Sequence, residues 1–167
     1  MLDKALKFAT KAHNGQVRKY TFEPYIVHPI AVSDLVRQHG GTEAQQVAAL
    51  LHDVVEDTDV TLDQICIKFG TQVADLVFWL TDQSKMTDGN RAVRKAIDRK
   101  HIFNAPHQAQ IVKLADLIDN TISIAEHDKG FAKVFLAEKK LILDGMLDSV
   151  KKTDLYKIAQ MQIKRLT

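Results

Sequence analysis

The stretch VAALLHDVV, residues 47–55, is apolar almost all the way round a helical wheel. A helix of this kind is enclosed by other helices, so the stretch favours an all-α fold. Elsewhere, apolar residues recur at spacings of three and four, as in Val73, Leu76 and Val77, and the sustained alternation typical of strands is absent. The sequence therefore predicts an all-α helical bundle.

Length and composition predict a single domain. The chain has 167 residues, of which 46% are hydrophobic and 26% are charged, and these values are typical of one globular domain. A domain of this length buries about 70% of the surface that its unfolded chain exposes, which is enough to keep a polar site dry and rigid inside. We therefore expect one domain over residues 1–167.

Cap residues mark where the helices begin and end. Thr42 with Gln45, and Thr61 with Gln64, have the spacing of capping boxes, and Gly70 stands where a helix stops. The predicted helices are Leu2–His13, Pro29–His39, Glu43–Val55, Leu62–Phe69, Gln72–Thr81, Asn90–Phe103, Pro106–Glu126 and Phe131–Val150, followed by a short tail helix. The loop over residues 14–28 is long for a compact domain, and such loops are more often functional than idle.

The charge balance and the single cysteine restrict the partners and the location. Lys and Arg total 23, Asp and Glu total 21, and the two signs are interspersed. Such a surface is a poor match for a nucleic acid or an anionic membrane, and no apolar run approaches the roughly 20 residues of a membrane span. Cys66 cannot form an internal disulfide, and the N-terminus resembles an amphipathic helix rather than a signal peptide. We therefore expect a cytoplasmic protein.

Two acids stand where the pattern predicts burial. Asp53 follows His52 inside the apolar stretch, and Asp116 lies inside a second apolar run, IVKLADLI, at residues 111–118. A buried, unpaired carboxylate costs several kcal/mol or becomes protonated. Lys113 is the one basic residue in either run, and its long stem could equally carry the ammonium to solvent. A divalent metal ion would satisfy both acids at once.

Neighbouring residues extend this predicted metal site. Imidazole with carboxylate is a sound ligand set for Mn, Fe, Zn or Co, and His28, directly before Pro29, could add a second nitrogen. Glu56 and Asp57 follow His52 and Asp53 by four positions, so they share one helix face. Acids beside a metal are suited to orienting or deprotonating a water molecule.

Each of these residues also has a structural interpretation. His28 could cap a helix, Glu56 and Asp57 could form a solvated acidic turn, and Arg18 and Lys19 could be exposed loop charges. The remaining histidines fall at predicted helix ends or polar faces, and we interpret them as structural: His13, His39, His101, His107 and His127. The metal interpretation is favoured because burial and spacing select the same helix face.

Five motifs in order carry a family resemblance. AHNGQVRK, PYIVHPI, AALLHDVVEDT, FGTQVADLV and VKLADLIDN together resemble the hydrolase domain of the RelA/SpoT alarmone enzymes, and especially the stand-alone small alarmone hydrolases. The resemblance covers roughly residues 5–125. A bare His-Asp doublet would define only the broad HD phosphohydrolase superfamily, whereas the longer motifs belong to this branch.

The resemblance implies a fold, a metal site and a reaction. It implies a helical HD-domain phosphohydrolase with one Mn²⁺ ion held by His28, His52, Asp53 and Asp116. Glu56 and Asp57 would serve the nucleophilic water, while Arg18, Lys19 and Asn120 would bind the nucleotide. The reaction would be hydrolysis of the 3′-pyrophosphate of guanosine tetraphosphate or pentaphosphate, giving GDP or GTP and pyrophosphate.

The sequence also departs from the family pattern. After Asp116 the family usually has an arginine, whereas this chain has Leu117, and it has Ile122 where arginine is common. Asp119 adds a negative charge near the expected ribose site. The alternatives are therefore an HD phosphohydrolase that acts on an adenosine alarmone, NADPH or another nucleotide. A further alternative is a regulatory module that binds an alarmone without cleaving it.

Overall fold

A computed structural model describes residues 1–166, and those residues form an all-α bundle, as predicted. Within them the only β-pairing is an isolated antiparallel bridge between Val17 and Pro24. The α-helices are α1 (Leu2–Ala12), α2 (Val27–Gln38), α3 (Glu43–Leu51), α4 (Val54–Asp57), α5 (Leu62–Phe69), α6 (Thr71–Leu80), α7 (Arg91–Phe103), α8 (His107–His127), α9 (Lys129–Asp144), α10 (Asp148–Lys151) and α11 (Asp154–Leu166), with a 3₁₀ turn at Met86–Asp88.

Both predicted capping boxes are present. The backbone N–H of Gln45 donates to the Thr42 hydroxyl, and the Gln45 side chain accepts from the Thr42 N–H. Thr61 and Gln64 make the same pair of hydrogen bonds at the start of α5. Each box satisfies backbone N–H groups that the first turn of a helix leaves without partners.

The helix α8 joins two apolar cores. One of its faces, which includes Val112 and Ala115, belongs to a core shared with α1, α2, α3, α5 and α6. Another face, which includes Leu114 and Ile118, packs with Leu155 of α11 and the neighbouring elements. Because α8 is covered on both sides, a polar group on it is held in a fixed and largely dry position.

The predicted helix Glu43–Val55 is wrong in its second half. The helix α3 ends at Leu51, and a turn at His52 and Asp53 precedes the short helix α4. The His52 ring nitrogen Nδ1 lies 2.8 Å from the Ala49 carbonyl oxygen, so the side chain competes for a backbone acceptor. Both residues keep right-handed helical backbone angles, but they stand in the turn between α3 and α4 rather than inside one continuous helix.

The predicted helix Phe131–Val150 is also too long. The helix α9 begins at Lys129 and ends at Asp144, and α10 follows after a turn. Gly145 lies so close to the Phe103 ring that a Cβ there would collide with it. The next turn is fixed by the Leu147 N–H, which donates to the buried Gln110 side chain at 2.9 Å. These tertiary contacts override the helical periodicity.

The sequence predicts no membrane-spanning segment. Within residues 1–166, every helix is too short or too polar to cross a bilayer.

Candidate functional site

The structure brings the four predicted metal ligands together. His28 Nε2 lies 3.3 Å from Asp116 Oδ1 and 3.7 Å from Asp53 Oδ2. His52 Nε2 lies 3.1 Å from Asp53 Oδ2 and 3.8 Å from Asp116 Oδ1. The start of α2, the turn after α3 and the middle of α8 therefore contribute to one cluster. We call these four side chains the ligand cluster.

Both histidines are oriented by hydrogen bonds on their other nitrogen. His28 Nδ1 lies 2.6 Å from Asp119 Oδ2, and His52 Nδ1 lies 2.8 Å from the Ala49 carbonyl oxygen. Because both partners accept hydrogen bonds, each Nδ1 carries the proton and each Nε2 presents a lone pair to the acids. A partner that fixes the ring in this way is usual for histidines that bind metals.

The ligand cluster fits a divalent metal ion. His52 Nε2 is buried and has no hydrogen-bond partner among the described residues. It lies within 4 Å of a carboxylate oxygen of both Asp53 and Asp116, an arrangement that requires a shared cation or a proton. His28, His52 and Asp53 also satisfy the spacing of a metal-binding group, with their ligand atoms within 4.8 Å of one another.

Without a metal, the histidines respond by binding protons. Burial lowers the pKa of His28, but its contacts with Asp116 and Asp119 outweigh this effect and raise the pKa to about 9. Burial likewise lowers the pKa of His52, and the charge of Asp53 reverses the direction. Burial opposes ionisation of Asp53, but His52 lowers its pKa overall. The cluster therefore attracts positive charge strongly.

Lys113 lies inside the site rather than in solvent. Its ammonium donates to Asp116 Oδ2 at 2.8 Å, while Oδ1 of the same carboxylate accepts from the Asn120 side chain at 2.6 Å. Burial lowers the pKa of Lys113, but the charge of Asp116 outweighs burial and raises it. One face of Asp116 is thus neutralised within the chain, and the other faces the histidines.

Glu56 and Asp57 stand beside the ligand cluster on α4. Glu56 Oε2 accepts the Asp82 N–H at 3.2 Å, and the backbone oxygen of Asp57 accepts from Gln16 at 2.9 Å. Glu56 keeps solvent access, but the surrounding protein raises its pKa to about 7, and the charge of Asp82 adds to this effect. Burial and the charge of Asp53 also raise the pKa of Asp57. Glu56 is therefore suited to exchanging protons near neutrality.

The predicted nucleotide-binding residues divide into two groups. Arg18 donates to Asn120 Oδ1 at 3.3 Å and to Asp119 Oδ2 at 3.2 Å, so the loop before α2 is fastened to α8 beside the ligand cluster. Lys19 instead lies over the rings of Tyr20 and Phe131, at 4.8 Å and 5.8 Å from their centroids. The structure brings Arg18 and Asn120 together and leaves Lys19 beside aromatic side chains.

Tyr25 and Asp119 belong to the site, although the sequence analysis assigned neither of them a function there. The Tyr25 hydroxyl donates to Asp53 Oδ2 at 2.6 Å, and burial together with the charge of Asp53 holds the pKa of Tyr25 well above its ordinary value. Asp119 orients His28, although its sequence position suggested only an unfavourable charge near the substrate. The available signals were the placement of Tyr25 three residues before His28 and of Asp119 one turn after Asp116.

A cleft opens beside the ligand cluster, bounded by α6, α7, α8 and α9. Asp53, Glu56, Asp116 and Asn120 lie at its wall. Its cationic lining residues are Arg91, Lys95, Arg99, Lys113 and Lys139. Acidic side chains also line it, and two of these cations are paired with them, Arg91 with Glu138 and Lys95 with Asp82. We call this space the central cleft, and its lining is polar and of mixed charge.

Comparison with known proteins places this arrangement in a family. A family model described as HD domain matches residues 5–141. The chain belongs to the HD-domain family. This match confirms the predicted HD-domain fold class of the HD-domain protein.

Curated relatives confirm the more specific resemblance. This HD-domain protein is 41% identical over 123 residues to a Synechocystis protein named probable guanosine-3′,5′-bis(diphosphate) 3′-pyrophosphohydrolase, covering 72% of this chain and 16% of that protein. It is 41% identical over 122 residues to the human guanosine-3′,5′-bis(diphosphate) 3′-pyrophosphohydrolase MESH1, covering 70% and 65%. The matched region thus spans less than two thirds of these relatives.

Solved structures resemble the whole bundle. A metazoan ortholog of SpoT, described as hydrolysing ppGpp, superposes with a TM-score of 0.86 at 26% identity, covering 98% of this chain and 94% of that one. A protein from Listeria monocytogenes superposes with a TM-score of 0.72 at 27% identity, covering 87% and 99%. The HD-domain protein therefore shares an entire architecture, and not only a motif, with a ppGpp hydrolase.

Proposed function

We propose that this protein is a metal-dependent hydrolase that removes the 3′-pyrophosphate of guanosine tetraphosphate or pentaphosphate, giving GDP or GTP and pyrophosphate. The observation that carries the proposal is the unpaired, buried Nε2 of His52, which faces Asp53 and Asp116 beside His28. The named activity of the human and Synechocystis relatives supports the choice of substrate.

The metal would be held by His28, His52, Asp53 and Asp116. Mixed imidazole and carboxylate ligands suit Mn²⁺, which we propose as the native ion, one per chain. When bound, a divalent ion supplies Lewis-acid stabilisation of the charge that develops on the phosphoryl oxygens. Asp119 and Tyr25 support this role because they hold His28 and Asp53 in place.

Glu56 and Asp57 would serve the nucleophilic water. Both lie on α4, directly after the ligand cluster, and both have a raised pKa. A carboxylate with a pKa near the working pH accepts a proton efficiently during the attack on phosphorus. The water oxygen would bond to the phosphorus next to the ribose while the bond between that phosphorus and the ribose 3′-oxygen breaks. The water proton would pass to Glu56 or Asp57, and the departing 3′-oxygen would take up a proton from the same acid or from solvent to give the 3′-hydroxyl of GDP or GTP.

The remaining polar residues would hold the nucleotide. Arg18 and Asn120 are joined at 3.3 Å and stand beside the ligand cluster, where the ribose of a bound substrate would lie. Lys19 would contribute a phosphate contact only after leaving the rings of Tyr20 and Phe131. Phosphoryl transfer of this kind depends on positioning and charge rather than on a covalent intermediate, and we expect none.

Product analysis tests the proposal. The purified chain is loaded with Mn²⁺, Mg²⁺ or Zn²⁺ and incubated with guanosine tetraphosphate, its adenosine counterpart and NADPH. We expect GDP and pyrophosphate from the first compound, fastest with Mn²⁺. Intact guanosine tetraphosphate together with phosphate release from another nucleotide would reassign the substrate, and tight binding without turnover would reassign the protein as an alarmone-binding module. A cytoplasmic location remains a prediction that cell fractionation tests.

A further inference from the structure

His13 is a buried histidine beside the site that has no part in the proposed mechanism. It directly follows α1 and is only 3% exposed. Its Nδ1 lies 2.7 Å from Gln16 Oε1, whereas its Nε2 is buried and has no hydrogen-bond partner within residues 1–166. A phenylalanine ring would fill the same space without burying a polar nitrogen. The contact with Gln16 is therefore the feature of His13 that packing does not explain.

A tight turn brings the side chains of His13 and Gln16 together. The Gln16 N–H donates to the His13 carbonyl oxygen at 3.0 Å, which closes a four-residue β-turn. Gly15, the third residue of this turn, has a φ of +81°, a conformation that residues with a Cβ rarely adopt. The turn therefore holds two polar side chains in place at the end of α1.

The directions of the hydrogen bonds follow from the backbone of Asp57. Its carbonyl oxygen can only accept, so the Gln16 side chain donates to it through Nε2, at 2.9 Å. The amide oxygen of Gln16 then accepts from His13, whose Nδ1 carries the proton. A chain of two hydrogen bonds thus joins the His13 imidazole to the end of α4.

The helix α4 needs such contacts to keep its position. It has four residues, about one turn, and so short a helix is not stable by its own hydrogen bonds. Val54 anchors its start in the core, but the side chains of Glu56 and Asp57 at its other end are exposed. Gln16 binds a carbonyl oxygen at this end, where backbone acceptors have no partner inside the helix. Through Gln16, His13 therefore holds the end of α4 that carries both acids.

A second connection leads from His13 to the ligand cluster. The rings of His13 and Tyr25 pack together with their centroids 4.8 Å apart, and the Tyr25 hydroxyl donates to Asp53 Oδ2 at 2.6 Å. The backbone supports this arrangement, because the Tyr25 N–H donates to the Gln16 carbonyl oxygen at 3.0 Å. One imidazole thus contacts both the residue that holds Asp57 and the residue that holds Asp53.

We propose that His13 is a positioning residue that keeps the acid-bearing end of α4 in place relative to the metal ligand Asp53. This inference rests on the proposed hydrolase function, in which Glu56 and Asp57 serve the attacking water. A small displacement of a catalytic group lowers turnover strongly. The metal ligands and the nucleotide-binding residues lie on other elements, so loss of the His13 contact should lower kcat and leave KM and metal affinity nearly unchanged.

The test removes the Nδ1 donor and keeps an aromatic ring. His13→Phe fills the same space beside Tyr25 but cannot donate to Gln16. We measure kcat and KM of the Mn²⁺-loaded chain with guanosine tetraphosphate, together with metal content and Tm. We expect kcat to fall by about 10- to 100-fold, with little change in the other three quantities. An unchanged kcat, or a loss of kcat that is matched by a loss of metal, would overturn the inference.

Three further variants distinguish positioning from a purely structural role. Gln16→Met breaks the same chain at a partly exposed residue and should lower kcat to the same extent, so it serves as the test if His13→Phe does not fold. The double variant should be no slower than either single variant, whereas multiplied losses would overturn the inference. His39→Phe is the control, because His39 also ends a helix, α2, but is exposed, and this change should leave kcat unaltered.

Hydrogen exchange separates this inference from the proposed function, because it needs no substrate. Amide exchange in residues 54–57 should be faster in His13→Phe and Gln16→Met than in the unaltered protein and in His39→Phe. An unchanged kcat together with unchanged exchange would overturn the inference and leave the hydrolase intact. An unaltered protein that does not cleave guanosine tetraphosphate would overturn the proposed function, and equal exchange in all four chains would then reject the role of His13 independently.

Discussion

Two buried polar clusters beside α8 differ in how their charges are compensated. In the ligand cluster, two carboxylates face two imidazole nitrogens within 4 Å, and within residues 1–166 His52 Nε2 has no hydrogen-bond partner. In the other, which consists of Lys139, Thr121 and Gln162 and is called the lysine cluster, the Lys139 ammonium donates to two neutral side-chain oxygens. The first cluster has an excess of acceptors and suits a cation, whereas the second has an excess of donors and suits an acceptor. The comparison shows that a cluster with excess acceptors calls for a cation, whereas a buried ammonium between neutral oxygens costs stability.

The largest effect is expected from removing an acid of the ligand cluster. Asp53→Ala leaves His52 and Asp116 without their shared partner, so the chain should lose its metal and more than about 1000-fold of its turnover. Metal content after gel filtration, together with kcat, measures both losses. Asp59→Ala is the control, because Asp59 is an exposed acid of the following turn. Full activity in a metal-free Asp53→Ala variant would show that hydrolysis does not need a metal ion at this site.

The next effect separates proton transfer from metal binding. Glu56→Gln should keep the metal and lower kcat by about 100-fold, because the amide cannot accept a proton. With a pKa of about 7, Glu56 is protonated below that pH and ionised above it, so the kcat of the unaltered protein should fall as pH falls through about 7. The Glu56→Gln variant should lack this transition. A variant that loses metal, or that keeps the same pH profile, would contradict the role of Glu56.

A smaller effect tests the support of His28. Asp119→Asn keeps an oxygen near His28 Nδ1 but removes its charge, so metal affinity should weaken by about 10- to 100-fold. Competition with a chelator measures the change. Glu126→Gln, at an exposed position of the same helix, should leave the affinity unchanged. An Asp119→Asn variant with unaltered metal affinity would show that His28 does not need this acceptor.

The smallest effect concerns stability and the lysine cluster. The pKa of Lys139 is about 7 in the folded chain, because burial lowers it, against 10.5 ordinarily. Below pH 7 both folded and unfolded chains carry the charge, so its burial cost is fully present, and the cost declines as pH rises from about 7 to 10.5. Lys139→Met should therefore raise the free energy of unfolding by about 1–4 kcal/mol near pH 6 and by less near pH 9. Urea denaturation at both values measures this, and a gain that grows with pH would contradict the sign.

The sequence predicted the bundle well because its signals are local. Threonine caps and apolar spacing located most helices, including both capping boxes. One of the two errors arose from a local side-chain hydrogen bond and the other from a tertiary contact. His52 stands in a turn, where its ring Nδ1 hydrogen-bonds to the Ala49 carbonyl oxygen. The helix α9 ends at Gly145, which lies against the Phe103 ring. No periodicity reports such contacts, because the partners lie on other elements or outside the repeating pattern.

The site could be predicted only where residues conflicted with their local pattern. His52, Asp53 and Asp116 interrupt apolar runs, so burial itself marked them. Lys139 lies in a helix with other lysines and looks like a surface residue, although its side chain is fully buried. Tyr25 has no conflict with its loop, and its bond to Asp53 depends on the folded chain. Residues that contact a site from another element therefore cannot be predicted from the local pattern of a single sequence.

The central claim is that His28, His52, Asp53 and Asp116 hold one divalent ion. Anomalous diffraction at the manganese absorption edge, from crystals of the Mn²⁺-loaded chain, tests it directly. We expect one peak per chain within bonding distance of Nε2 of both histidines and of both carboxylates. A peak elsewhere, or no peak at full Mn²⁺ loading, would contradict the account.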